Sequence, residues 1–133
     1  MQHEHKILLV DDEPLIRRSM QKTLSRLGFE VITADNCIDG LALFETAQGS
    51  DRPFELALLD LNMPGFSGQP QEGAGLELLG RLHEKSHDLP VIILTAYDEV
   101  NKAKDAISRG ARDYFVKGRD EGLVDLMDAI LEK

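Results

Sequence analysis

Five short apolar runs, each followed by a longer segment of helical periodicity, constrain the fold of this 133-residue chain more than any other feature. The runs are rich in Val, Ile and Leu and have the length of buried strands. They lie at residues 7–10, 30–34, 56–59, 91–94 and 114–116. This alternation predicts an α/β fold in which helices cover both faces of a five-stranded parallel sheet. The length favours one domain over residues 1–133.

The segments between the runs carry apolar residues every three or four positions, as helices do when they pack one face on a sheet. The first such series is Ile16, Met20, Leu24 and Leu27. Pro14 before this series is typical of a helix start, and Gly28 after it is typical of a helix end. Five helices are predicted in this way.

Composition excludes several classes of protein. Fifteen basic and twenty-four acidic residues give a formal net charge of -9, whereas domains that bind nucleic acid directly are usually basic. No apolar run approaches the roughly 18 to 20 residues that span a bilayer, so we expect no membrane segment. The single cysteine, Cys37, rules out an internal disulfide and fits a reducing compartment, for which the cytoplasm is the default expectation.

Polar residues follow four of the five runs. Asp11 and Asp12 follow the first, Asp60 the third, Thr95 the fourth and Lys117 the fifth. Ligands of doubly wound sheets bind at the carboxyl ends of the strands, where the winding direction reverses. If the first and third strands are neighbours, three carboxylates meet at that edge.

Three carboxylates at one edge repel one another, and a hard divalent cation with oxygen ligands relieves that repulsion. Mg²⁺ suits such a site because it needs few carboxylates and keeps waters that a phosphate can replace. A carboxylate nucleophile, a cation, a lysine and a hydroxyl together supply what phosphoryl transfer needs. We therefore predict Asp60, which is central, as the nucleophile. Each residue taken alone also has an ordinary reading, such as a helix cap for Asp11 or Asp12.

Four segments resemble the receiver domain of response regulators. They are ILLVDDEP (7–14), LALLDLNMPG (56–65), VIILTAY (91–97) and GARDYFVKG (110–118), and the resemblance covers nearly the whole chain. It implies a flavodoxin-like, doubly wound sheet with the strand order 2-1-3-4-5. It also implies a signalling domain that catalyses its own phosphorylation and dephosphorylation and is not otherwise an enzyme.

The resemblance implies that Asp60 accepts a phosphoryl group from a phosphohistidine on a sensor histidine kinase or histidine phosphotransfer protein. Asp12, Asp60 and the backbone carbonyl of Asn62 would ligate Mg²⁺ directly, and Asp11 would act through water. Thr95 would donate a hydrogen bond to a phosphoryl oxygen, and Lys117 would form an ion pair with the phosphoryl group.

The resemblance also implies a switch. Tyr114 matches the aromatic residue that turns inward when Thr95 moves, although it also suits simple packing of an edge strand. Asn62 and Tyr97 occupy positions that tune hydrolysis of the acyl phosphate. Residues 100–131 would form the output face, which binds a partner or a second copy, or serves only in domain packing.

Two departures stand out from the family pattern. Gly118 replaces a proline that usually forms a cis peptide after the lysine; without proline we expect a trans bond and a less rigidly placed Lys117. Residues 65–75 (GFSGQPQEGAG) predict an expanded polar loop, of which 69–75 are additional. This insertion is a partner-docking element, a lid or an inert addition, and the sequence does not decide among them.

Three alternatives remain beside a working receiver. One is a degenerate receiver that binds partners without phosphorylation. A second is an aspartyl-phosphate phosphohydrolase, which usually needs an acid where this chain has Asn62. The third, a zinc site at His83 and His87 in the pattern HEKSH, is disfavoured because a third ligand is not evident and the motif lies at a helix end.

Overall fold

The computed structural model describes residues 5–96, 99–118 and 120–132. Strands and helices alternate along this part of the chain, as predicted. The elements are β1 (Lys6–Val10), α1 (Pro14–Arg26), β2 (Glu30–Ala34), α2 (Cys37–Gln48), β3 (Leu56–Asp60), β4 (Met63–Pro64), β5 (Pro70–Gln71), α3 (Ala74–Lys85), β6 (Val91–Thr95), α4 (Val100–Ser108), β7 (Asp113–Val116) and α5 (Asp120–Leu131). Each predicted run is a strand, with bounds that differ by at most one residue at either end.

The main sheet has five parallel strands in the order β2-β1-β3-β6-β7. The predicted flavodoxin-like fold is therefore confirmed. If only the strands of this sheet are numbered, their order is 2-1-3-4-5, as predicted. The labels β6 and β7 differ from that numbering because the short strands β4 and β5 come between β3 and β6 in the chain. The winding direction reverses between β1 and β3, which are hydrogen-bonded neighbours.

Alternate residues of the strands enter two separate cores, because successive side chains of a strand point to opposite faces. Ile7 and Leu9 of β1 pack with α1 and α5, whereas Leu8 and Val10 pack with α2, α3 and α4. Every residue of β3 and of β6 is buried. The continuous apolar runs in the sequence thus reflect strands that are covered on both faces.

The expanded loop predicted at 65–75 contains regular structure that the sequence did not indicate. Met63 pairs with Gln71 and Pro64 with Pro70, which makes residues 63–71 a small antiparallel hairpin. The amide of Gly65 donates to the carbonyl of Gln69 at 2.9 Å and closes the turn. Helix α3 then begins at Ala74, so the last two residues of the predicted loop are helical.

Within the described residues, no helix is both long enough and apolar enough to cross a membrane.

Candidate functional site

Asp60, Asp11 and Lys117 meet at the carboxyl edge of the sheet. Asp60 is the last residue of β3 and is 4% exposed, and Asp11 directly follows β1 and is fully buried. The ammonium nitrogen (Nζ) of Lys117 lies 3.1 Å from Oδ2 of Asp60 and 3.4 Å from Oδ2 of Asp11. The same nitrogen also donates to Glu13. One cation thus contacts three carboxylates from two neighbouring strand ends.

Backbone hydrogen bonds between adjacent strands hold these ends together. The amide of Asp11 donates to Ala34 at 3.0 Å, and that of Lys117 donates to Thr95 at 2.9 Å. Oδ1 of Asp11 accepts the amide of Glu13 at 2.9 Å, but Glu13 is itself the N-cap of α1 and no side chain caps this helix, so Asp11 is not the helix cap of the alternative interpretation. Its second oxygen faces Lys117. Asp11 therefore serves the backbone and the charged cluster at once.

The acidic cluster has a fourth member that the sequence reasoning missed. Asp11, Asp12, Glu13 and Asp60 each offer an oxygen, and these oxygens lie within 4.8 Å of one another. In the described part of the chain, this is the one set of three or more such side chains close enough to share an ion. Glu13 has a signal in the sequence, since it continues the acidic pair Asp11-Asp12.

The electrostatics of the cluster follow from burial. Burial, reinforced by the negative charge of Asp11, raises the pKa of Asp60 to about 8, and the nearby Lys117 only partly opposes this. Burial also disfavours the charged form of Lys117, but its bond to Glu13 and the charges of Asp60 and Asp11 outweigh this and raise its pKa. The cluster thus lacks positive charge, and a bound cation would relieve it.

In the absence of divalent cations, we expect Asp60→Asn to be more stable than the wild type, increasingly so as the pH rises. The folded-state pKa of Asp60 is about 8 and its ordinary value is 3.8, so the folded state binds the proton more tightly. The stability from that proton is complete below pH 3.8 and is lost as the pH rises through 8. In Asp60→Asn, Lys117 keeps its bonds to Asp11 and Glu13, so the substitution leaves no unpaired charge, and it removes the burial penalty on the Asp60 carboxylate.

Urea unfolding with a chelator at several pH values between 4 and 9 checks this expectation. Asp51→Asn, at an exposed loop position, is the control and should leave the pH dependence unchanged. A constant difference between Asp60→Asn and the wild type across this range would contradict the raised pKa.

The donor set fits Mg²⁺. All four members of the cluster offer carboxylate oxygens, the ligands that this hard cation prefers, and Asp12 is exposed and so accessible to an ion that keeps its waters. Asn62, whose backbone carbonyl the resemblance adds to the ligand set, follows Asp60 by two residues and is half-buried.

The predicted switch residues lie on the neighbouring strands β6 and β7. Thr95 ends β6 and is fully buried, and its hydroxyl donates to the carbonyl of Ala96 at 3.1 Å. Tyr114 is half-buried in β7 and packs against the core that α2, α3 and α4 share. Tyr97 lies outside the described residues, so its predicted effect on hydrolysis stays a prediction.

The segment after Asp60 is held in a way that the sequence did not reveal. The amide of Gly75 donates to the carbonyl of Leu61 at 2.9 Å, and Oδ1 of Asn62 accepts the amide of Gly73 at 2.8 Å. A Cβ added at Gly75 would overlap the backbone carbonyl oxygen of Asp60. The start of α3 thus packs directly on the backbone of the predicted nucleophile.

The Lys117–Gly118 peptide is trans, as expected, and no cis peptide occurs among the described residues. Gly118 has a φ of +94°, in the region that favours glycine. The side chain of Lys117 is only 10% exposed and contacts three carboxylates, so its place in the cluster does not need a proline after it.

The HEKSH motif does not form part of this site. His83 lies in the last turn of α3, and its Nε2 is 2.9 Å from the carbonyl oxygen of Leu89. His87 lies beyond the helix end, which is Lys85. One ring nitrogen of His83 is thus engaged by the backbone, and the two histidines do not share one helix face.

Comparison with known proteins shows the family to which the chain belongs. Residues 7–130 match the model of the response regulator receiver domain family. The chain is 35% identical over 128 residues to the C4-dicarboxylate transport transcriptional regulatory protein DctD of Pseudomonas aeruginosa, a match that covers 96% of this chain and 25% of that protein. The chain therefore spans about a quarter of the length of this relative.

Two solved structures resemble the whole described fold. The receiver domain protein from Clostridium thermocellum has a TM-score of 0.83 at 26% identity, with 96% of this chain and 94% of that one covered. The response regulator protein TrrA from Thermotoga maritima, solved in complex with Mg²⁺ and BeF, has a TM-score of 0.76 at 32% identity, with 96% and 99% covered. The chain belongs to the response regulator receiver domain family of two-component signalling proteins.

Proposed function

We propose that Asp60 accepts a phosphoryl group from a phosphohistidine of a sensor histidine kinase or histidine phosphotransfer protein. The observation that supports this most directly is the position of its carboxylate. It lies buried at the point where the sheet reverses, within hydrogen-bonding distance of Lys117 and beside three further acidic residues. A relative of similar fold, TrrA, was solved with Mg²⁺ and BeF.

In the proposed reaction, an oxygen of Asp60 attacks the phosphorus while the phosphorus–nitrogen bond to the donor histidine breaks. The electron pair of that bond stays on the histidine ring, and the product on this chain is an acyl phosphate. Asp12, Asp60 and the backbone carbonyl of Asn62, with Asp11 through water, would hold Mg²⁺. When bound, this cation supplies positive charge that offsets the charge developing on the phosphoryl oxygens.

Lys117 and Thr95 respond to the new group. Lys117 already spans Asp11 and Asp60, so it is placed to pair with a phosphoryl oxygen on Asp60. The hydroxyl of Thr95 donates to Ala96, and it has to leave that acceptor to bond to the phosphoryl group. Tyr114, on the strand adjacent to Thr95, follows this movement in our proposal.

Residues 100–131 form the proposed output face. They include α4, β7 and α5, and Lys117 at the end of β7 links this face to the cluster. Ile107 on α4 is 45% exposed, which suits contact with an output partner or a second copy. We propose no direct contact with nucleic acid by this domain, since its net charge is -9.

Intact-mass spectrometry after incubation with acetyl phosphate tests the proposal. The expected result is a gain of one phosphate that depends on Mg²⁺ and is reversed by hydroxylamine, which cleaves acyl phosphates. A chain that folds and binds Mg²⁺ but gains no phosphate from acetyl phosphate or phosphoramidate would favour the degenerate receiver, which acts by binding alone.

Mg²⁺ is expected to raise the melting temperature of the wild type but not that of Asp12→Ala. A ligand that binds only the folded state adds about 2.7 kcal/mol when its concentration is a hundred times its dissociation constant. Because Asp12 is exposed and belongs to a cluster of repelling carboxylates, its removal should not lower the metal-free stability.

Thermal melts with and without Mg²⁺ measure both effects. Asp51→Asn serves as the control and should keep the full rise in melting temperature. An equal rise in Asp12→Ala would remove Asp12 from the ligand set.

A further inference from the structure

The side chain of Asn62 is engaged away from the acidic cluster. Its Oδ1 accepts the backbone amide of Gly73 at 2.8 Å, across eleven positions of the chain. Gly73 is the first flanking residue of α3, and it has no side chain with which to cap that helix. The bond therefore joins the residue before the 63–71 hairpin to the N-cap residue of α3.

The chain is held on both sides of Asn62. On one side the amide of Leu61 donates to the carbonyl of Leu94 in β6 at 2.9 Å, which extends the pairing of β3 with β6. On the other side Met63 pairs with Gln71 in the hairpin. Three consecutive residues are thus fixed: Leu61 and Met63 by their pairing with neighbouring segments, and Asn62 by its side-chain hydrogen bond.

The hairpin reaches the acidic cluster through this attachment. A cavity of about 320 Å³ lies beside Asp12 and Asn62. Its remaining lining comes from the hairpin and its exit, at Met63, Pro70, Gln71 and Glu72. The position of the hairpin thus sets one wall of the space beside Asp12.

We propose that Asn62 is a positioning residue, whose side chain fastens the hairpin and so keeps the backbone carbonyl of Asn62 directed at the Mg²⁺ site. This inference rests on the proposed function for the role of that carbonyl. It assigns the insertion a part in organising the site, because the partner of the Asn62 side chain is Gly73, within the added segment 69–75. Groups that orient a metal ligand typically change metal affinity about 10-fold to 100-fold when they are lost.

The test compares Asn62→Ala with Asn62→Asp, because aspartate keeps an acceptor oxygen where alanine has none. Hydrogen exchange at the Gly73 amide, measured without metal, reports the bond itself. Calorimetric titration with Mg²⁺ reports the carbonyl. Asn101→Ala, at an exposed position of α4, controls for the general loss of an asparagine side chain.

In Asn62→Ala we expect at least about 10-fold faster exchange at Gly73 and about 10-fold weaker Mg²⁺ binding. Asn62→Asp should keep the slow exchange and bind Mg²⁺ at least as tightly as the wild type, since the added charge favours the cation. Unchanged Mg²⁺ affinity in Asn62→Ala overturns the inference, whether or not exchange at Gly73 changes.

Failure of the proposed function looks different from failure of this inference. If the wild type gains no phosphate, the phosphoacceptor role is lost, yet exchange at Gly73 and Mg²⁺ affinity still decide the role of Asn62. If the wild type gains phosphate and Asn62→Ala binds Mg²⁺ normally, the positioning role alone is wrong.

Discussion

Asp60→Asn is expected to gain no phosphate from acetyl phosphate in the presence of Mg²⁺, whereas the wild type gains one. The amide that replaces the carboxylate cannot form the acyl phosphate under these conditions. The other acids of the cluster are poor substitutes: Asp11 already accepts the Glu13 amide, and Asp12 and Glu13 are exposed, unlike the buried Asp60. The loss should therefore be complete, not partial.

Two features make this expected result specific to Asp60, the proposed nucleophile. The variant is expected to fold, since removal of the buried charge stabilises the metal-free state, so a loss of uptake cannot be attributed to unfolding. Asp51→Asn changes the same chemical group in an exposed loop on the amino-terminal side of β3 and should gain phosphate normally. Uptake by Asp60→Asn at the wild-type rate would place the acceptor elsewhere in the chain.

The position of Asp60, the proposed nucleophile, could be predicted from the sequence because of a simple geometric rule. Parallel strands end at the same edge of a sheet, so the residues that follow apolar runs are brought together once the strand order is known. Asp11, Asp60 and Lys117 satisfy the rule, and the structure brings them within hydrogen-bonding distance. The strand order itself came from the resemblance, since periodicity does not reveal which strands are neighbours.

The hairpin at 63–71 had no comparable signal. Pro64 and Pro70 are paired across it, although proline lacks a backbone donor and is depleted in strands. Its turn depends on the positive φ of Gly68, which is +85°, and on the bond from Gly65 to Gln69. These tertiary contacts and turn geometries override the strand propensities of the residues, so the sequence indicated only an expanded polar loop.

The contact between Lys117 and Glu13 was also missed, for a different reason. The two residues are 104 positions apart. In the sequence, Glu13 is simply the next residue after the acidic pair Asp11-Asp12. Nothing in that run distinguishes a residue that faces Lys117 from one that faces solvent at the start of α1. Only the placement of β7 beside β6 decides it.

Gly75→Ala is expected to lower the free energy of unfolding by about 1–3 kcal/mol, the usual cost of overpacking a close contact. The added Cβ would overlap the carbonyl oxygen of Asp60 and lie 3.1 Å from the Cα of Leu61. Both are backbone atoms, which cannot rotate away as a flexible side chain does. Either α3 moves off the sheet or the backbone of Asp60 shifts, and the second change would also weaken the Mg²⁺ binding that we propose for this site.

Gly80→Ala provides a matched control in the same helix, with the opposite sign expected. Gly80 is exposed in α3, and a Cβ added there meets nothing within 4 Å. Alanine in a helix interior should then stabilise the protein by about 0.5–1 kcal/mol. Urea unfolding of both variants measures the contrast. Equal stability of the two would mean that α3 does not press on the backbone of Asp60, and the glycine at 75 would then have no role in forming the site.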